Sequence, residues 1–436
     1  MATANLNSFP VPETVVCPSC AGNITLHDPA GSEFCVCPHC HTYIKFRNDV
    51  PQAVKKASLP QTKPVVAIGA QIVLQGYTFK VIAFIEKREK GTEYYWREYM
   101  LYNYEKGYAN LSEFDGHWNL FFGSNFLPDL KNVDQKTQSV KFQDVVYNKF
   151  HAYLCELTAF TGEFDWDLTQ DSIFTHETIA PPFIMLKEVE TDNRRYGTLF
   201  YRGEYQEPAA LAAAFGIHES QMPERVGIGA NQPTKAYGFW QWVLKYSLYA
   251  LLALMGITLF FALRKPSKTI FEKTFPIVYE PVKGQFEFKP FMTPGFEVND
   301  QSSFLDLEIT SPIDNNWLEA TIVLVNEQSN ATWEVTQGIE YYNGVEDGER
   351  WTEGQTTAKV LLSEIPRGRY HLNVYTASGD PLRDQLAIRV TENGILWRNL
   401  LVCVLLLTII PAIAWLMARN VEKKRWSNSD FSPYEE

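Results

Sequence analysis

Two runs of eighteen residues without a charge, Tyr246 to Leu263 and Leu400 to Met417, constrain this 436-residue chain more than anything else in it. Wound as helices at about 1.5 Å of rise per residue, they are long enough to cross the hydrocarbon of a bilayer. A helix of that length in a water-soluble core normally keeps a polar face, and neither run shows a charged one. The flanks suit the headgroup level: Trp240, Trp242 and Lys245 precede the first run and Arg264-Lys265 close it. Trp397-Arg398, Arg419 and Lys423-Lys424-Arg425 frame the second. Lys245 is read as snorkelling to the interface, and Pro411 as a kink of the kind membrane helices tolerate.

Two spans place both termini on one side. The basic residues after the second span favour a cytoplasmic tail, while Arg264-Lys265 and Lys268 argue weakly the other way. The intervening segment is long, and long loops cross largely regardless of charge, so the tail decides. Residues 1 to 16 contain no Lys or Arg and no long apolar stretch, so the front of the chain is expected in the cytoplasm as well.

A net charge of -12 and a pI near 5.3 argue against binding nucleic acid, which rests on clustered Lys and Arg displacing counterions from phosphates. Five of the seven cysteines lie between Cys17 and Cys40, unlike the spread of a secreted disulfide framework. Cys17-Pro-Ser-Cys20 and Cys37-Pro-His-Cys40 are two C-x-x-C knuckles at zinc-ribbon spacing. Four thiolates around one Zn²⁺ leave no open coordination position, which makes the expected zinc structural. Cys35, His39 and His41 are read as bystanders.

Short β-like runs follow from Ile68: Gln71 to Leu74, Tyr77 to Ile85 and Tyr94 to Tyr102, broken at Gly76, Gly91 and Gly107. Val140 to Phe160 and Phe183 to Tyr205 continue the pattern, and Tyr95-Trp96-Arg97-Glu98-Tyr99 has an echo in Tyr201-Arg202-Gly203-Glu204-Tyr205. Two related halves are therefore predicted, with a short helix over Pro208 to Phe215. Between the spans, Phe304 to Ile309, Leu318 to Val325, Lys359 to Leu362 and Tyr370 to Tyr375 alternate apolar with polar residues, which predicts an antiparallel β-sandwich.

Ile68-Gly69, Gly76 to Ile82, Tyr95 to Tyr99, Asp115-Gly116-His117-Trp118, Gly162-Glu163-Phe164, Pro181-Pro182 and Gly203-Glu204-Tyr205, taken in order, resemble the bacterial DUF4178 family of unknown function. The resemblance covers roughly residues 66 to 216. It implies a β-rich bacterial domain whose relatives often carry zinc ribbons and membrane spans, and it brings no catalytic residues with it.

Asp115 and His117, with Glu98 and Glu204, form the candidate functional set of this domain. An acid/base pair is one reading; the plainer one is a turn at Asp115-Gly116 with Trp118 packed on the sheet. In the segment between the spans, Tyr341, Tyr342, Asp347, Trp351 and Glu353 combine aromatic faces with carboxylates and glycine turns, as sugar or peptide binding requires. Trp426 to Glu436 reads as a flexible tail.

The chain is thus expected to be mainly β and multidomain: 1–47 zinc ribbon, 48–65 linker, 66–218 DUF4178-like two-half domain and 219–236 linker. The first transmembrane helix follows at 237–263, an extracytoplasmic β-sandwich at 264–394, the second transmembrane helix at 395–418 and a cytoplasmic tail at 419–436. The function these parts suggest is a two-pass adaptor or sensor of the bacterial inner membrane, linking an exported binding domain to a cytoplasmic module; membrane-stress response is the setting that the resemblance to DUF4178 implies. The alternative is a membrane-bound enzyme using the Asp115/His117 region. Protein partners and the lipid bilayer are the expected contacts, with self-association as a further one.

Overall fold

The computed structural model describes residues 8–47, 50–136, 139–169, 173–190, 198–282, 285–379, 385–393 and 397–434. It divides into two units: residues 1–241 with 413–436, and residues 242–412.

The first unit is built round eight antiparallel strands: β1 (Tyr77–Glu89), β2 (Tyr95–Asn103), β3 (Gly107–Phe114), β4 (His117–Phe122), β5 (Val145–Phe164), β6 (Ile173–Ala180), β7 (Phe183–Glu190) and β8 (Thr198–Gln206). Strands β1 to β4 form one meander and β5 to β8 another. The pairings β4–β8 and β1–β5 join the two meanders along both edges, so the sheet closes into a barrel with no free edge among these eight strands. The predicted two halves are real, but the pentapeptide echo does not relate them. Tyr95 to Tyr99 lies on the second strand of one half, and Tyr201 to Tyr205 on the fourth of the other.

Closure requires close contact of β1 with β5. Gly162 pairs with Ala83 and has φ +110, and a Cβ there would stand 2.2 Å from the Ile82 carbonyl oxygen. Only glycine meets both conditions. Outside the barrel, Phe79, Tyr99, Leu101, Trp118 and Leu120 form an apolar layer covered by the helix α1 (Pro208–Phe215) through Leu211 and Ala212.

The cysteine-bearing segment adds the strands Phe34–Val36 and Thr42–Arg47 to the same sheet through Phe34 and Cys35, which pair with Phe164 and Glu163. The stretch read as a linker from 48 is in part a strand, Val50–Lys56, paired with Thr42–Arg47; it is an edge strand, where Pro51 leaves no ladder bond unmade.

Two long helices follow, α2 (Ala236–Arg264) and α3 (Trp397–Arg425). Both are long and apolar enough to cross a membrane, and their apolar stretches are only 0% and 11% buried among the described residues. The second unit carries a ten-stranded antiparallel sheet between them. Its long strand Thr357–Ser378 pairs first with Phe296–Thr310 and then with Asn316–Asn326. Leu305, Leu307, Ile309, Leu318, Ile322, Leu372 and Val374 alternate into one core. The antiparallel pattern is as expected, and bending of a single sheet encloses that core as a half-barrel.

Of the C-terminal residues read as a flexible tail, 426–434 are folded, and 435–436 lie outside the described residues. Trp426 is buried with Phe150, Ile179 and Ile184, and Tyr434 packs on the same cluster. Aromatic side chains among serines and acids resemble a solvated tail in sequence, and here they find an apolar socket on the barrel.

Candidate functional site

Alternate residues of each barrel strand point inward, and the lumen they make is polar. Lys87 of β1, Glu98 of β2, Cys155 of β5, Glu177 of β6 and Glu188 of β7 all line it. Two cavities of about 240 and 290 Å³ occupy it, and they share Lys87, Glu98, Phe121, Leu186 and Glu188 in the middle.

The Lys87 ammonium lies 2.7 Å from Glu98, whose other oxygen accepts a hydrogen bond from the Trp96 indole at 2.8 Å. Burial pulls Lys87 down, but Glu98, Cys155 and Glu188 outweigh it and leave its pKa above the usual lysine value. Burial pushes the Cys155 thiol up to about 12, with Glu98 and Glu188 adding to the rise. Glu177 accepts the Tyr153 hydroxyl at 2.8 Å, and burial raises the carboxyls of both Glu177 and Glu188.

One mouth of the lumen is covered by the segments adjoining the two long helices. Gly227 to Ala230, just before α2, and Lys424, Arg425, Ser427 and Asn428, at the end of α3, all line the first cavity. Arg425 is buried and donates to the carbonyls of Gly229 and Ala230 at 3.1 and 3.0 Å. Ser429 donates to the Phe150 carbonyl, and Asp430 accepts from the Ala152 amide at 3.1 Å. His151 stands between Glu89, at 3.1 Å, and Asp430, 2.8 Å away without hydrogen-bond alignment.

The same mouth explains the Asp115 to Trp118 motif. Asp115 and Gly116, at φ +50 and +75, make the turn between β3 and β4. A side chain at Gly116 would strike the backbone of Glu224, so the glycine lets the segment before α2 lie against the turn. His117 is buried, and its Nε2 lies 3.1 Å from the Val226 carbonyl. A carbonyl only accepts, so Nε2 carries the proton and Nδ1 accepts the Tyr205 hydroxyl at 3.0 Å. Burial lowers the His117 pKa, in keeping with a neutral ring. Asp115 itself is exposed, and its carbonyl accepts the Val226 amide at 2.9 Å.

The structure therefore brings Glu98, Asp115 and His117 to one cavity, but not Glu204. Its carboxylate accepts Gln75 at 3.1 Å, and it is absent from the cavity that holds the other three. Tyr341, Tyr342, Asp347, Trp351 and Glu353 fall on a hairpin at the edge of the half-barrel, with Tyr342 opposite Glu353 and Trp351 opposite Gly344. The strand Glu349–Gln355 is exposed throughout.

At the other end of the chain, the four sulfurs of Cys17, Cys20, Cys37 and Cys40 lie within 4.8 Å of one another and could hold a metal ion. Cys17 to Cys40 and Cys20 to Cys37 are both 3.7 Å apart. The edge of a tetrahedron with metal–sulfur bonds of about 2.3 Å is roughly 3.8 Å, so the donors already fit that geometry. Cys35 is buried beside them with its thiol pushed up to about 12, chiefly by burial.

Glu163 ties this module to the barrel. Its carboxylate, buried at the end of β5, accepts the amides of His27 and Asp28 and the hydroxyl of Ser32 at 2.7 to 3.1 Å. Tyr108 of β3 donates to Asp28 at 2.5 Å. Asp165, nearby, has a buried oxygen with no hydrogen-bond partner, and its carboxyl is pushed up to about 6 by burial first and then by Glu33 and Asp28. A raised carboxyl favours the fold below the ordinary value near 3.8 and loses that contribution as pH rises through 6, about 3 kcal/mol in all. Asp165→Asn should therefore gain stability over the parent as pH goes from 4.5 to 7.5. Melting curves of the detergent-purified chain at both pH values check this, and a pH-independent difference would contradict it.

A closed antiparallel barrel with a charged lumen and a four-cysteine module joined to its sheet is the class that fold and site define. Within it, residues 67–206, running from the strand before β1 to the end of β8, match the family model of the domain of unknown function DUF4178. Among solved structures, the VP2 subviral particle of infectious bursal disease virus aligns at 13% identity and TM-score 0.19, covering 30% of this chain and 33% of that one. A carbohydrate-binding module of the β-sandwich superfamily aligns at 9% identity and TM-score 0.12, covering 62% of this chain and 89% of that one. This chain spans about a third of the length of the viral protein, and at these scores neither likeness carries an argument. No curated protein matches the chain.

Proposed function

We propose that the chain is a membrane-anchored sensor or adaptor whose barrel lumen takes up a small ligand and whose helices respond to it. The observation that carries this reading is the covered mouth. The segment entering α2 and the segment leaving α3 lie over the lumen and are pinned to each other by Arg425. A molecule filling the lumen presses on or settles both, so its binding energy reaches the two helices without a further element.

The packing of residues after α3 onto a barrel that precedes α2 supports placing both on one side of the membrane, with the half-barrel on the other. Arg419, Lys423 and Lys424 beside the second span support the inner face of a bacterial cytoplasmic membrane as that side. The four-cysteine module holds structural zinc in this scheme and serves as a rigid docking face for a protein partner, while the half-barrel meets an envelope ligand. An acid/base role for Asp115 and His117 finds less support, because both ring nitrogens of His117 are occupied in holding the segment before α2.

Cys155 reports on the mouth from inside. Deleting residues 426–436, or replacing Trp426 by Ala, is expected to raise the rate of Cys155 alkylation in native membranes at least tenfold, followed by peptide mass mapping. An unchanged rate would refute the covering role of these residues. Reporters fused within the half-barrel and at the C-terminus should read opposite sides of the membrane.

A further inference from the structure

We infer that the lumen binds a small organic cation of the alkylammonium type, with Glu188 as its counter-ion. This rests on the reading of the lumen as a ligand site. Glu188 projects from β7 into the middle of the barrel, where it is half-buried and borders both cavities.

Its neighbours are already engaged. Glu98 holds Lys87 and the Trp96 indole, and Glu177 holds the Tyr153 hydroxyl. Glu188 has no hydrogen bond or ion pair of its own among the described residues. Its carboxylate is half-buried and open to the cavities, and Lys87 is the cation whose charge acts on it. That charge is shared, since the Lys87 ammonium lies against Glu98.

Charge selects the ligand class. Lys87, Lys424 and Arg425 face Glu89, Glu98, Asp115, Glu177 and Glu188 round the first cavity, so carboxylates outnumber cations and an anion entering the lumen meets net repulsion in a poorly screened space. A neutral molecule leaves Glu188 with only the Lys87 charge that Glu98 already holds. An ammonium gives it charge-assisted hydrogen bonds. The ring pair Trp96 and Tyr153, with centroids 5.3 Å apart, and the neighbouring Phe121 supply aromatic surface for the cation and its carbon stem. At about 30 Å³ per water-sized group, each cavity admits a ligand on the order of eight non-hydrogen atoms.

The test uses the detergent-purified full chain and three matched probe series: propyl- and butylammonium, 1-propanol and 1-butanol, propionate and butyrate. Calorimetry is expected to show the ammonium ions binding at least tenfold more tightly than the alcohols, and the carboxylates not at all. Glu188→Gln should weaken ammonium binding at least tenfold while Glu204→Gln, outside that cavity, leaves it unchanged. Alcohols or carboxylates binding as well as the ammonium ions, or unaltered ammonium binding in Glu188→Gln, would overturn the cation assignment and leave the lumen as a ligand site. If no series binds even to the chain lacking residues 426–436, the lumen reading itself fails along with it.

Discussion

Under the zinc reading proposed above, replacing Cys37 by Ser is expected to leave the four-cysteine site unable to hold its ion and to unfold residues 13 to 47. The apolar cluster round the thiols comprises Cys17, Ile24, Leu26, Cys35, Cys37 and Ile44, so half of its buried members are cysteines, and Val15, Cys40 and Phe46 pack against it. So small a core does not hold a fold by burial alone. Structural zinc binding in such modules contributes on the order of 10 kcal/mol of folding free energy, and one missing thiolate forfeits most of it. Elemental analysis should fall from one zinc per chain to under a tenth, and proteolysis should open the segment up to Arg47. Retention of stoichiometric zinc in Cys37→Ser would show that the four thiols are not the site. Because Glu163 grips residues 27 to 32, the loss should also lower the melting temperature of the barrel, where a buried carboxylate would be left with fewer donors.

Gly162→Val should do comparable damage from the barrel side. The new Cβ would overlap the backbone of Ile82 and Ala83 at the seam where β1 meets β5, and φ +110 is closed to a β-branched residue. Relief requires parting the two strands, which reopens the barrel and exposes the lumen charges. A cost above about 4 kcal/mol is expected, enough to abolish cooperative unfolding or accumulation of the protein. Gly76→Ala is the contrast: φ is +81, yet no atom lies within 4 Å of the added carbon. It should cost only about 1 kcal/mol, the strain of the left-handed conformation alone. Equal melting temperatures for the two variants would mean that the seam tolerates separation.

Much of this was written in local pattern. The two uncharged runs became helices of 29 residues each, and the paired C-x-x-C knuckles came together to within 4.8 Å. Alternating residues such as Leu318, Ala320, Ile322 and Leu324 became a strand with one face in the core. The lumen was not legible. A polar residue at every second position of a strand looks the same whether it faces water or the inside of a barrel, so Lys87, Cys155, Glu177 and Glu188 carried no sign of their place. Asp115 and His117 stood out for their chemistry, whereas the structure gives His117 the work of holding a neighbouring segment. Arg425 looked like one more basic residue at a membrane boundary.

The sequence by itself determined what depends on neighbours a few residues apart: which stretches are too apolar for water, where thiols fall at ligand spacing, and where strands turn. Closure of the barrel, the gathering of charged side chains in its lumen and the covering of its mouth by residues near 230 and 425 were decided by tertiary structure. Those features join positions that lie as much as 279 residues apart, as Phe150 and Ser429 do, and no local propensity encodes which distant edge or surface a segment will meet.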